Sequence, residues 1–224
     1  MEIETVNIRI SASFGLAALL LSAFFHSEAS SEECLPAFKG QCRKTYSLPS
    51  PSMMPTLFQG EQIEGDVNWY ATHRPELGDV AVYLLPRDIK IFYLKRIVGL
   101  PGDKIQMVNE VLYINGHPVK RERIEDFVYQ ASESSKVTIP QYQETLPNGV
   151  TYRVLEFDKH GSADNTEEYV VPENHYFLMG DNRDNSQDSR YLSMVGYVPR
   201  DNILVKAIRV SFSWNFLRIG TEIK

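Results

Sequence analysis

Three short stretches of this chain concentrate side chains able to do chemistry. Ser47 to Leu57 (SLPSPSMMPTL) sets Ser50 and Ser52 among three prolines. Proline fixes φ at about −65° and biases the preceding residue toward extended backbone, so these serines are expected in an extended or turning segment, not a helix. Such a stretch is either an ordered loop with solvated hydroxyls or a nucleophile held rigidly beside a groove. A serine hydroxyl becomes a useful nucleophile only when a neighbouring base takes its proton.

The second stretch, Tyr93 to Asp103 (YLKRIVGLPGD), contains a candidate base. Lys95 lies inside the otherwise apolar segment 89–98, next to Arg96. Successive strand side chains face opposite sides, so one of this pair is expected to turn inward and Arg96→Ala to be far milder than a change at Lys95. A desolvated lysine has a lowered pKa and can act as a general base; a surface lysine snorkelling from an edge strand is the plain alternative. The third stretch, Gly180 to Arg190 (GDNRDNSQDSR), is dense in charged and amide side chains. It reads as a solvated turn, or as a buried network in which Asp and Arg pair while Ser186 offers a hydroxyl. A calcium loop would need a glycine at its sixth position and a closing glutamate, which this string lacks.

The elements that must position these groups are β-strands. Segments 80–85 (VAVYLL), 89–98 (IKIFYLKRIV), 150–157 (VTYRVLEF) and 203–214 (ILVKAIRVSFSW) are rich in β-branched and aromatic residues, several with period-two alternation. Asn115-Gly116 suits a type I′ turn in a hairpin over 111–119. No segment after residue 30 carries a sustained helical stripe. The expected fold is mostly β: an antiparallel catalytic unit over 46–106 and 171–224, and a smaller inserted β lobe over 107–170. One N-terminal apolar helix would precede them.

Composition narrows the function. The 224 residues suffice for one sizeable core, and the formal charge of −6 argues against a nucleic-acid partner. No Cys/His cluster has zinc spacing, so no metal site is indicated, and chemistry by a serine with a side-chain base needs no cofactor. Residues 10–25 (ISASFGLAALLLSAFF) carry no charge. As a helix they would span roughly 24 Å, short of a hydrocarbon core of about 30 Å. Residues 1–29 therefore read as a short membrane anchor or a signal-like segment, with Ser27-Glu28-Ala29 as a small-x-small cleavage pattern; a buried helix is the alternative. Lys39, Arg43 and Lys44 follow the apolar run while only Arg9 precedes it, a bias opposed to simple positive-inside export. In the linker over 30–45, Cys34 and Cys42 can close a small disulfide loop in an oxidising compartment, with two free thiols as the alternative.

The motifs together resemble the bacterial signal peptidase I family, membrane-bound serine proteases with a Ser–Lys dyad. The matching text is SPSMMPTL, LGDVAVY at 77–83, YLKRIVGLPGD and VPENHYFLMGDNRDNSQDSR at 171–190, in the family's order. The resemblance implies Ser52 as nucleophile and Lys95 as general base. It implies Ser50 as an oxyanion donor beside the Ser52 N–H, and Ser186 as the group orienting Lys95. Asp181, Asp188 and Arg190 would form an ion-pair framework. Leu48, Pro49, Met53, Leu57, Tyr93 and Leu94 would line pockets for small residues of a signal peptide, on a strand that carries the nucleophile and walls the groove. The implied setting is the bacterial cytoplasmic membrane, single-pass, with the catalytic domain on the outer face. A dedicated pilin or conjugation peptidase, or an inactive binding relative, would share the motifs.

Overall fold

Residues rich in valine, isoleucine and tyrosine pair into strands wherever turn residues let the chain reverse. The computed structural model describes residues 42–132, 135–157 and 161–224. The largest sheet has seven strands: β1 (Arg43–Ser47), β2 (Gln62–Asp66), β3 (Val80–Leu85), β4 (Asp88–Gly99), β14 (His175–Met179), β15 (Val198–Pro199) and β16 (Ile203–Phe212). They lie in the order β1-β2-β16-β3-β4-β14-β15, each paired antiparallel with its neighbours.

Residues 104–170 form three smaller antiparallel sheets. One contains β5 (Lys104–Val108), β6 (Val111–Ile114), β7 (His117–Pro118) and β13 (Tyr169–Val170). A second contains β8 (Lys120–Arg123), β11 (Gln141–Thr145) and β12 (Thr151–Leu155). The third is the pair β9 (Phe127–Ser132) and β10 (Ser135–Ile139). Asn115 and Gly116 join β6 to β7 with φ of 54° and 77°, as a type I′ turn requires of both central residues. The small sheets share a core with the large one: Val98, Phe177 and Met179 pack with Ile105, Leu112, Leu146 and Val154.

Alternation along β4 places Tyr93, Lys95 and Ile97 on one face and Leu94, Arg96 and Val98 on the other. Ile97 packs with Ala81, Tyr83 and Leu178, whereas Val98 packs with Phe177 and the small sheets. Both faces of the second half of β4 are therefore covered, as in a sheet with protein on each side. The expectation that only one of Lys95 and Arg96 turns inward is corrected by this covering: Lys95 is 4% exposed and Arg96 0%.

A second difference concerns the serine segment. β1 ends at Ser47, and residues 51–57 form turns closed by Met54 N–H to Pro51 O (3.0 Å) and Leu57 N–H to Met53 O (2.9 Å). The strand expected to carry Ser52 is thus a strand that hands over to a turn, because closely spaced prolines cannot keep donating to a sheet ladder. The apolar stretch 10–25, the small-x-small pattern and Cys34 lie outside the described residues. Cys42 is buried and disulfide-bonded. Among the described residues no helix is long and apolar enough to cross a membrane.

Candidate active site

The turn after Pro51 buries Ser52, and β4 brings Lys95 to it. Lys95 Nζ lies 2.8 Å from Ser52 Oγ and 2.9 Å from the Leu94 carbonyl oxygen. Lys95 pairs in register with Ala81 of β3, a neighbour too small to reach over the ammonium. Burial lowers the lysine pKa to about 8, against the upward pull of the Asp188 and Asp181 carboxylates. Ser52 and Lys95 open on a groove of about 600 Å³. A lysine poised near neutrality, bonded to a serine hydroxyl in such a groove, has the geometry of a nucleophile and its base.

The other expected site residues fall into place unequally. Leu48, Pro49, Ser50, Met53, Tyr93, Leu94 and Ser186 line the same groove. Leu57 does not; it is fully buried in a core cluster with Ile63, Val80 and Val205. The turn of residues 51–57 rolls its side chain inward, and this corrects its expected place at the groove. Tyr46, Val82, Phe92, Gln187, Tyr191 and Met194 also line the groove, though sequence reasoning did not single them out. The exposed flank of β4 and the segment after Arg190 meet there only through tertiary folding. Tyr93 donates its hydroxyl to Gln187 Oε1 at 2.8 Å, tying strand to loop.

Ser52 N–H donates to Ser50 Oγ at 3.2 Å. The two expected oxyanion donors thus converge, with Ser50 Oγ accepting the Ser52 N–H, and a developing oxyanion would take that N–H in place of Ser50 Oγ while the Ser50 hydroxyl turns its own hydrogen toward it. Ser186 stands close enough to Asp188 for its hydroxyl to help hold that carboxylate low, yet its buried Oγ has no partner at full hydrogen-bonding geometry. Lys95 donates elsewhere, so the role of orienting Lys95 rests on Ser186's position in the groove alone.

The 180–190 loop is fixed by buried charge. Asp188 accepts from Arg190 Nε and Nη2 (both 2.9 Å) and from Gly180 N–H (3.0 Å). Burial alone would raise the Asp188 pKa, but Arg190, the Gly180 amide and Ser186 outweigh it and hold the group below its ordinary value. Asp181 receives Arg96 through two bonds, Nε to Oδ1 (2.9 Å) and Nη2 to Oδ2 (2.8 Å), and accepts the Thr56 hydroxyl at 2.5 Å. Arg96, which the sequence left outside the framework, is therefore its fully buried partner. Arg96 and Asp181 lie 85 positions apart, and no local pattern pairs them. Gly180 is where loop and nucleophile touch: a Cβ there would stand 2.6 Å from both Ser52 O and Ser186 Cβ. Only glycine permits this approach.

Glu156, Asp164 and Asp184 place a carboxylate oxygen each within 4.8 Å of one another. Arg121 bonds Glu156 at 2.6 Å, and the buried Arg183 adds its positive charge. The cluster's charge is met in part from within the protein.

A family model described as signal peptidase, peptidase S26, matches residues 38–212. Signal peptidase I of Rickettsia bellii (strain OSU 85-389) is 34% identical over 199 residues, covering 76% of this chain and 66% of that protein. Signal peptidase I of Rickettsia massiliae (strain Mtu5) is 43% identical over 148 residues, covering 62% and 52%. The chain thus spans between about half and two thirds of the length of these relatives. The crystal structure of a signal peptidase I from Enterococcus faecalis V583 aligns with 58% of this chain and 94% of that one, at 24% identity and a TM-score of 0.34. With more than three quarters of its length matched by the family model, the chain belongs to the signal peptidase, peptidase S26, family.

Proposed function

We propose that this protein is a serine endopeptidase that cleaves signal peptides from exported preproteins, with Ser52 as nucleophile and Lys95 as general base. The observation that carries this reading is the 2.8 Å bond between Lys95 Nζ and Ser52 Oγ, buried at the floor of the groove. Neutral Lys95 takes the Ser52 proton as Oγ attacks the scissile carbonyl, then returns it to the leaving amine. The oxyanion is stabilised by the Ser52 N–H and the Ser50 hydroxyl; such a donor is typically worth about 3 kcal/mol. Apolar Leu48, Met53, Tyr93 and Leu94 suit small, uncharged residues of an extended peptide. No cofactor enters these steps. The uncharged stretch at 10–25 supports a membrane-held enzyme, with residues 46–224 acting on the outer face of the bacterial cytoplasmic membrane. The bonded Ser–Lys pair counts against an inactive binding relative, and no feature of the groove singles out pilins as substrates.

The test is incubation of the detergent-solubilised full chain with a preprotein carrying an Ala-x-Ala site. Cleavage after the second alanine, absent in Ser52→Ala, is the expected result. Cleavage that persists in Ser52→Ala, or none by the wild type, would overturn the reading.

A further inference from the structure

The region 107–170 carries fewer motif-like features than its flanks, yet two of its buried side chains hold the arginines that frame the dyad. Glu144 of β11 is 0% exposed. Its Oε2 accepts from Arg183 Nη2 at 2.6 Å and from the Tyr152 hydroxyl of β12 at 2.7 Å. Tyr152 also accepts from Arg183 Nη2 at 3.3 Å, and its ring lies 4.2 Å beneath the Arg96 guanidinium.

Arg183 passes this anchorage to the catalytic loop. Its Nε donates to Gly180 O at 3.1 Å, and its own carbonyl accepts Arg190 Nη2 at 2.6 Å. Gly180 packs against the Ser52 carbonyl, and the Asn182 amide donates to that same carbonyl at 3.0 Å. The path from Glu144 to the backbone of the nucleophile is thus an unbroken series of hydrogen bonds and one close contact.

We propose that Glu144, assisted by Tyr152, is a positioning residue for the peptidase reaction, fixing Arg183 and so the 180–190 loop that sets Ser52 against Lys95. This rests on the function proposed above. A guanidinium as buried as that of Arg183 is not tolerated without its counter-charge. Without Glu144 it turns toward water and draws Gly180 and Asn182 with it. Catalysis is steep in such displacements: a shift of about 1 Å can cost about 100-fold.

Steady-state kinetics of the full chain on a peptide with small residues at the cleavage site test this. In Glu144→Ala we expect kcat to fall roughly 10- to 100-fold, with KM within about threefold of wild type. Glu144→Gln, which keeps an acceptor for both donors but removes the counter-charge, should recover only part of the loss. A parallel NMR titration of lysine-labelled protein reads the site without any substrate. Lys95 is faced by Tyr93 on its own strand, by Ser52, and by Asp181 and Asp188 on the loop. A loosened loop admits water and moves the Lys95 midpoint upward by half a unit or more. Folded Glu144→Ala with wild-type kcat and an unmoved midpoint, its melting temperature alone lowered, would overturn the proposal. If Glu144→Ala does not fold, Tyr152→Phe decides. A drop in kcat of about threefold with an upward midpoint supports the proposal, and no change in either overturns it. Absent cleavage by the wild type overturns the function alone, since the titration still reads positioning.

Discussion

Lys95 and Arg96 are consecutive in one strand, both are buried, and they meet opposite fates. Arg96 keeps its charge because Asp181 grips it through two bonds and the Gly78 carbonyl accepts a third at 2.8 Å. Lys95 meets a hydroxyl, a carbonyl and apolar walls, with Asp181 and Asp188 acting only from a distance. Desolvation therefore wins at one position and pairing at the other. Burial by itself does not make a base; burial without a contacting counter-charge does.

The sharpest break is at the dyad. Lys95→Arg, Lys95→Ala and Ser52→Ala should each lower kcat by about 1,000-fold or more, since such groups act as a unit. Arginine cannot give up its proton to serve as a base. Single-turnover assays, with circular dichroism confirming the fold, check this; near-native turnover of Lys95→Arg would contradict it.

On the other side of the strand, Arg96→Ala leaves Asp181 buried and unpaired, which should cost about 3–5 kcal/mol of stability in urea unfolding. The milder effect expected from alternation is on cleavage, relative to a change at Lys95, and not on stability. A loss below about 1 kcal/mol would show that the Asp181 pair contributes little to folding.

The third effect is linkage. The folded lysine titrates near 8 and the unfolded one near 10.5. Between those values the unfolded chain holds a proton that the native chain lacks, so stability should rise with pH across that window. The slope is about 1.4 kcal/mol per pH unit, roughly 3 kcal/mol in all. Below pH 8 both states are protonated and the cost of burying the charge is constant. Lys95→Met should flatten this segment of the pH–stability curve; an identical slope in both proteins would refute the assignment.

The mildest break is Gly180→Ala. Its new methyl meets Ser52 O and the Ser186 side chain, an overpacking of about 1–3 kcal/mol. Because the methyl pushes on the nucleophile's own backbone, kcat should fall more than the melting temperature suggests. Equal kcat at equal folded fraction would show that the approach is not tight.

Local pattern carried much of this molecule. The strand at Val80–Leu85 coincides with its β-branched run, and Asn115-Gly116 makes the turn its residue types demand. The chemistry-bearing stretches also announced themselves by composition, and the groove gathers residues from all three. What sequence hid is what depends on a second covering layer. Arg96 looked solvent-facing because alternation says nothing about protein on the far face. The resemblance alone places Leu57 at the groove, and the turn over 51–57 instead packs it against Ile63, Val80 and Val205, contacts that no local pattern shows. Glu144 and Tyr152 lie in a motif-poor stretch, 39 and 31 positions from the arginine they hold, a pairing that only the fold creates.

The account stands on Lys95 being neutral where it meets Ser52. Direct NMR titration of the Lys95 ammonium in the unliganded full chain measures this. The predicted midpoint is about 8, with cleavage rate rising through the same pH and no histidine-like limb below 7. A midpoint at the ordinary lysine value of about 10.4, with unchanged activity at neutral pH, would contradict it.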